Sequence, residues 1–521
     1  MPSGTVESHN NKIPLELPMS DRFSRLRRAC LVPLSALTLA ALTACSTHPE
    51  LQADVQVLDA GKLGVQGVQA KEPGDTLPAW WEAYGDRQLD ALMKQALAGN
   101  PTVQVAQARL RRVEAMEAAS RGADQPQIQA SAEVDRQHFS RHGMYPPPLA
   151  GASLTSGTLQ LEGKWELDLF GRQHAEIEAL VGQKRAAQAD VQTARLVLSW
   201  NVARAYLELG RAQFQREVSE RALAQREEML GLIRQRVQAG LDTNVELKQG
   251  EGALPEARTQ IEAWGDELTR MRHALAMLTG QAPDALAHLL VKDVVEPLPS
   301  PEHIPVDALA RRPDVMAALW RAQAAGHQVD AARAMFYPNV DLVSYAGYNA
   351  IGLDQLIKPT SWQWGLMPAI HLPLFDGQQR VANLQGKLAD QDVALANYNQ
   401  TILQAVQEVA DQISTTQSVA RQRQDQRLAQ KSVEAAYELA VARYKAGLGN
   451  YLTVLSVESS VLTQRHKAID LLTQALDTQL NLIRALGGQL QPAAPSAPSA
   501  PSAPTASTDN TKAASQAGDR S

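Results

Sequence analysis

Cysteine is almost absent from this 521-residue chain, which has only Cys30 and Cys45. Cys30 lies in an N-terminal segment expected to be removed, which would leave Cys45 alone with no internal disulfide, so rigidity has to come from packing. Aromatic residues are also sparse, at 5% of the chain. Excess positive charge is missing as well: the formal net charge is −6, and no basic stripe with interleaved aromatics occurs beyond the N-terminus, so nucleic-acid binding is set aside. No HExxH, GxSxG or Walker loop is present, and the 11 histidines are scattered without metal-ligand spacing. These absences give no support to an enzyme, a metal site or a cofactor.

The most telling absence is proline. None occurs between Leu374 and Gln491, a stretch of 118 residues. Val381, Leu384, Leu388, Leu395, Tyr398, Ile402, Val406, Val409 and Ile413 recur there at the mixed three-and-four spacing of a helix packing along a seam. Gly447, Gly449 and Asn450 break the run, so a helical hairpin is expected. Its first arm, Gly377 to Ala446, would reach roughly 105 Å at the helical rise. A second proline-free window, Leu149 to Leu254, holds a long helix from Gly171 to about Ala239. That helix breaks at Arg236 to Asn244, and a return helix runs to about Thr279 with a kink expected at Pro255.

Each long hairpin is preceded by a shorter helix and by period-two sequence. A helix from about Arg87 to Arg121, broken at Asn100-Pro101, leads to Ile128, Ala130, Ala132 and Val134 alternating with polar residues. After a loop from His138 to Ser156, a second alternating run carries Leu159, Leu161, Gly163, Trp165, Leu167 and Leu169. Further on, helix Asp314 to Met335 is followed by strands at Pro338 to Asn349 and Trp362 to Leu372. Matches between Asn100-Pro101 and Arg312-Pro313, Leu169-Phe170-Gly171 and Leu374-Phe375-Asp376-Gly377, and Arg236 to Leu241 and Arg443 to Leu448 mark a tandem duplication with offsets of 212, 205 and 207.

The runs have the length and alternation of membrane-barrel strands, with a soluble sheet as the plainer reading. Of the 24 aromatic residues, 11 lie in 126 to 170 and 336 to 375. Trp165, Tyr345, Tyr348, Trp362 and Trp364 are the candidates for membrane-interface belts. Four strands cannot close a barrel, and unpaired edges in lipid cost several kcal/mol per group. Three copies would supply about twelve strands, enough to leave a water-filled lumen. The expected fold is an α+β membrane protein: a long α-helical barrel plus a transmembrane β-barrel formed by a homotrimer, four strands per chain, with an internal tandem duplication.

At the N-terminus, Arg22, Arg25, Arg27 and Arg28 precede an apolar stretch, Ala29 to Ala41, as in a secretory signal. Met1 and Met19 are both candidate starts. Leu42-Thr43-Ala44-Cys45 resembles the bacterial lipobox, which makes Cys45 the lipid-attachment candidate. Ser46, rather than aspartate, follows it and by that resemblance favours the outer membrane. Removing residues 1 to 44 leaves 45 basic against 53 acidic residues, a net charge of −8. The expected division is signal peptide 1–44, lipid-anchored linker 45–85, first repeat 86–282, connector 283–313, second repeat 314–490 and a disordered Ala/Pro/Ser tail 491–521.

The order of elements, the lipobox, Trp165 to Arg172, Arg312 to Val315 and the Ala-Gly-Leu tips at 239 to 241 and 446 to 448 together resemble the TolC-type outer-membrane efflux proteins, in their NodT-like lipoprotein branch. The resemblance spans roughly residues 50 to 490. It implies a trimeric duct docked to a periplasmic adaptor protein and an inner-membrane transporter of RND type, exporting small toxic compounds or drugs. A type I protein-secretion duct and a non-conducting structural coiled-coil lipoprotein are the rival readings, with a periplasmic enzyme further off. Arg236, Ala239, Gly240, Leu241, Arg443, Ala446, Gly447 and Leu448 are the adaptor-docking candidates; plain hairpin-turn chemistry is the alternative for the two glycines. Related channels often carry Tyr-Leu-Thr-Leu-Leu-Asp after the second tip, with the aspartate at a constriction. Here Ser456 stands in that place, so Leu452, Ser456 and Glu458 are the constriction candidates.

Overall fold

A computed structural model describes residues 51–58, 78–292, 296–298, 309 and 311–489. Cys45, the signal at 1–44, the tail at 491–521 and part of the connector lie outside the described residues. The elements are α1 (Arg87–Gly99), α2 (Pro101–Ala123), β1 (Gln127–His138), β2 (Ser153–Leu167), α3 (Arg172–Gln238), α4 (Asn244–Leu278), α5 (Pro313–Ala334), β3 (Asn339–Ile351), β4 (Trp362–His371), α6 (Gln379–Lys445) and α7 (Tyr451–Ala485). No helix among the described residues is long and apolar enough to cross a membrane.

The duplication is legible in the helix bounds. α3 and α6 are both 67 residues long, α4 and α7 both 35, and each later member lies 207 residues further on. α2 and α5 both begin on a proline at the first helical position, 212 residues apart, where the missing N–H costs nothing. Asn100 caps α2 by accepting from the Thr102 amide at 2.8 Å. This is the break expected at Asn100-Pro101. Pro255 lies inside α4 without ending it.

The chain falls into two compact units, each drawing on both repeats. The first comprises Leu97–Leu198 and Leu309–Glu408 with residues 51–58. Small side chains set its helix spacing. A Cβ on Gly182 of α3 would stand 3.0 Å from the Ala324 methyl and 3.2 Å from the Trp320 carbonyl of α5. Ala186 and Ala189 pack with Met316, Ala317 and Trp320 in the same seam. The buried Arg312 forks onto Asp314, with distances of 2.7 and 3.1 Å, and reaches Glu408 at 2.9 Å. The Arg-Pro-Asp-Val motif is thus a clamp between the α5 start and α6.

Residues 51–58 do not hang free as the expected tether. The Val55 amide donates to Asp392 at 2.8 Å, the Leu58 amide donates to Asn399 at 2.9 Å, and Asn399 donates back to the Gln56 carbonyl. Leu51 and Ala53 pack beside Val329, Ala332, Leu384 and Leu388. An extended strap lacking its own backbone partners has borrowed them from α6 side chains.

The second unit comprises Pro78–Ala96, Ser199–Ala308 and the chain from Val409. Trp80–Tyr84 form a 3-10 turn with both tryptophans buried, so this end of the expected linker also belongs to a core. Trp80 donates to Ser199 and Tyr84 to Gln479, while Gln479 exchanges hydrogen bonds with the Leu298 backbone.

The four strands form one antiparallel sheet in the order β1-β2-β3-β4. The two expected hairpins are joined through β2 and β3, with Leu167 opposite Val340 and Leu159 opposite Tyr348. Pairing extends β2 back to Ser153, shortening the loop predicted from His138 to Ser156. β3 begins on β4 with Asn339 opposite His371, as Gln127 lies opposite Lys164 in the first hairpin. The strands β2 and β4 are therefore related by the same 207-residue offset as the long helices. The letter match of Leu169-Phe170 with Leu374-Phe375 at 205 is not the structural equivalence. Phe170 stacks on Tyr337 with centroids 5.0 Å apart, whereas Phe375 is 91% exposed.

Candidate functional site

The register gives the sheet two chemically distinct faces. On one face stand Ile128, Val134, Leu159, Leu161, Trp165, Trp364, Leu366 and Ile370, all exposed large apolar side chains. On the other, Gln129, Ser131 and Gln160 donate to Glu162 at 2.8, 3.0 and 2.7 Å, and Asn349 donates to Thr158 at 2.9 Å. Alternation by two assigns each side chain its face. An apolar face that nothing among the described residues covers, beside a hydrogen-bonded polar face, is the pattern of a barrel wall between lipid and water.

Four of the five interface candidates lie on the apolar face. Trp362 packs edge-on against Tyr348 at 5.4 Å, with Trp364 beside them. Trp165 lies opposite Leu342, and its indole N–H donates to the Asp124 carbonyl at 3.1 Å. From Leu342 to Tyr348 the strand rises roughly 20 Å, close to the height of an apolar band between two aromatic girdles. Tyr345 is the correction. It pairs with Glu162 and Gly365 on the polar face, and its ring lies over Gly365, where a Cβ would meet it at 2.6 Å. Its odd position in β3, beside outward-facing even positions, is the reason.

The motif from Trp165 to Arg172 fastens strand to helix. Arg172 bridges Glu166 at 2.6 Å and Glu176 at 2.7 Å, and Asp168 accepts from the His174 amide at 2.8 Å. An acidic residue at a helix N-terminus satisfies an otherwise unpaired donor there.

The two tips close alike. Gly240 and Gly447 both have φ of 72°. The Leu241 amide donates to the Arg236 carbonyl and the Leu448 amide to that of Arg443, both at 2.8 Å. This is the Schellman closure, which requires the left-handed conformation that glycine adopts without strain. Ala239, Gly240, Leu241, Ala446, Gly447 and Leu448 are all exposed, with the two leucines at 66% and 71%. Each apolar tip side chain faces solvent.

Their polar chemistry differs. Arg236 grips Asp242 with both prongs, at 2.8 and 3.2 Å. Its guanidinium also lies 4.7 Å from the Tyr444 ring centroid, and the Tyr444 hydroxyl donates to Asp242 at 2.5 Å. Burial opposes ionisation of Asp242, but its bonds from Arg236 and Tyr444 prevail and hold the carboxyl below its usual range. Burial, then the Asp242 hydrogen bond, pushes the Tyr444 phenol upward. Arg236 is thus spent inside the hairpin, and its place among the docking candidates is corrected on that ground. Gly449 stands where the duplication would put a second Asp242, so Arg443 has no such carboxylate and stays exposed. Sequence reading passed over Asp242 and Tyr444; the only signal was an Arg and an Asp six residues apart across a glycine turn.

Leu452 and Ser456 lie one helical turn apart on the exposed side of α7. Glu458 does not join them. It is buried and accepts from Arg226 Nε at 2.9 Å, while Arg226 also donates to the Ala253 carbonyl at 3.0 Å. Glu458 therefore leaves the constriction set.

The model of the family described as outer membrane efflux protein matches residues 92–281 and 304–488. The putative multidrug resistance outer membrane protein MdtQ of Escherichia coli strain K12 is 31% identical over 420 residues, covering 78% of this chain and 87% of that protein. The crystal structure of the outer membrane protein VceC of Vibrio cholerae superimposes with a TM-score of 0.74 at 32% identity, over 78% of this chain and 98% of that one. The outer-membrane channel OprN gives the same TM-score at 26% identity, over 85% and 97%. With both repeats matched, the sheet two-faced and the hairpins closed at glycine tips, this chain belongs to the outer membrane efflux protein family, the TolC-type channels, and serves as an outer-membrane efflux channel.

Proposed function

We propose that three copies of this chain form the duct of a tripartite pump, held in the outer membrane by their strands and by acyl chains on Cys45 after removal of residues 1–44. The observation that carries the trimer is the sheet. It has one apolar face, one polar face and two open edges, β1 and β4, among the described residues. Edges in hydrocarbon must pair, and about twelve strands give a barrel with a lumen. Mass measurement in detergent and conductance in planar bilayers test this. A stable monomer with native strand content would overturn it.

The tips are the docking surface for the helical hairpins of a periplasmic adaptor that leads to an inner-membrane transporter of RND type. Exposed Ala239, Leu241, Ala446, Leu448 and Arg443 support this reading. Replacing Leu241 and Leu448 with aspartate leaves assembled trimers but abolishes adaptor crosslinking and efflux. Survival of both would refute the docking assignment. Leu452 and Ser456 line the narrow part of the duct, and the cargo is a small toxic organic compound, tested by susceptibility profiling of a deletion strain. Lipid attachment is read by mass spectrometry of mature protein from the native envelope, where an unmodified Cys45 would contradict it.

A further inference from the structure

The duplication fixes more than the fact that β4 must pair with β1 of another copy. It fixes the register. Strand β1 is related to β3 by the 212-residue offset that relates α2 to α5, and β2 to β4 by the 207-residue offset of the long helices and of the hairpin pairing. Within one chain the joint between repeats is the β2–β3 pair, where Leu167 faces Val340. Carrying both members through the duplication converts this joint into one between copies. Leu167 becomes Leu374, and Val340 becomes Ile128.

On the trimer reading above, we infer that β4 of one copy pairs antiparallel with β1 of the next so that Leu374 faces Ile128, Ile370 faces Ala132 and Leu366 faces Arg136 of the neighbouring copy.

Three observations agree with that register. It pairs the apolar face of β4 with the apolar face of β1, whereas a slip of one residue would turn Ile128 and Val134 toward the polar side. It explains why apolar residues continue past the end of β4 at His371. Leu374 is 81% exposed and Ile128 is also an exposed apolar residue, and the register sets them against each other as β4 lengthens along its new partner. It also places Arg136, a basic residue on the outer face of β1, opposite Leu366 and diagonally beside the exposed Trp364. An indole face there can receive the guanidinium.

Paired cysteines test the register. Directly opposed residues in an antiparallel ladder bring Cα atoms to about 4.5–5.5 Å, within disulfide reach, whereas a two-residue displacement does not. Full-length chains carrying Ile370→Cys with Ala132→Cys, Ile370→Cys with Ala130→Cys, and Ile370→Cys with Val134→Cys are oxidised in the native envelope beside the single-cysteine controls. Covalent trimers are expected from the Ala132 pair and are lost on reduction, with at least a tenfold lower yield from the two displaced pairs. Each variant's native mass is measured in detergent to confirm that it assembles. Trimers that crosslink best through Ala130 or Val134 would overturn the register and leave the channel reading intact. A chain that remains monomeric would overturn both.

Discussion

Methionine at Arg226 should be among the costliest single changes in the helical hairpins, and the reason can be worked out from one ion pair. The Arg226 and Glu458 side chains are only 10% and 7% exposed. Arg226 Nε donates to Glu458 at 2.9 Å and Nη1 to the Ala253 carbonyl at 3.0 Å, joining α3 to α7 and α4. Removing the guanidinium strands a carboxylate in the core, which costs about 3–5 kcal/mol when a buried pair loses one member. The lost bond to Ala253 adds about 1 kcal/mol. Glu458→Leu alone removes the buried carboxylate but leaves the arginine the Ala253 carbonyl at 3.0 Å and the exposed Glu256 at 3.8 Å, so it should cost somewhat less than Arg226→Met. Removing both charges leaves two apolar side chains of comparable volume, and such replacements are neutral or stabilising by about 1–4 kcal/mol. The double variant should therefore melt near wild type while each single variant melts well below it. Circular dichroism of the helical transition in detergent, read as a four-member cycle, measures this. A channel this large is not a two-state system, so the test is the order of midpoints. If the double variant falls as far as the two singles added together, or if Arg226→Met is silent, the pair is wet and the burial argument fails.

Gly347→Ala should disrupt the seam between repeats, because its Cβ would run into the Leu159 carbonyl; loss of strand content by circular dichroism would report it, and unchanged strand content would refute it. Tyr444→Phe removes a hydroxyl donating to the Asp242 carboxylate, a bond worth about 1.5–3 kcal/mol to a charged group, and should raise proteolytic cleavage at the tips without changing strand content. Asp242 has a folded pKa below its unfolded value, so its contribution is complete above the ordinary carboxylate range and is lost as pH falls toward the folded value. Tip protection should hold from neutral pH down to about 4 and fade below it, and in Asp242→Asn that acid-dependent loss should vanish; an unchanged pH profile would exclude the carboxylate as its source. Tyr345→Phe, on the polar face, should alter conductance more than membrane insertion, whereas Trp364→Ser on the apolar face should do the reverse, as planar-bilayer recording and membrane fractionation would show.

Much of this architecture follows from sequence because its determinants are local and periodic. A proline-free run with three-and-four spacing can only be a long helix, alternation by two separates the sheet's faces, and glycine followed by leucine closes both hairpins. The family was readable too, since its motifs sit at the joints where strand meets helix and helix meets turn. What tertiary structure alone decided was which residues meet across those elements. The sequence placed Tyr345 with the membrane aromatics; the register of β3 against β2 and β4 turned it to the polar face. It offered Arg236 and Arg443 as equivalent, but only one has an aspartate returning beneath it and a tyrosine from the other hairpin to lie against. Glu458 was the nearest carboxylate to the gate position, two residues along and so on another face of the helix; that the face is buried against Arg226 of α3 came only from the packing. Within the apparent linker, residues 51–58 became a strap because the Val55 and Leu58 amides found Asp392 and Asn399, and Trp80–Tyr84 became a buried turn because the Trp80 indole and the Tyr84 hydroxyl found Ser199 and Gln479. Periodicity specifies a face and a direction. A partner, and with it the ionisation and burial of each polar group, is settled only when distant segments are packed together.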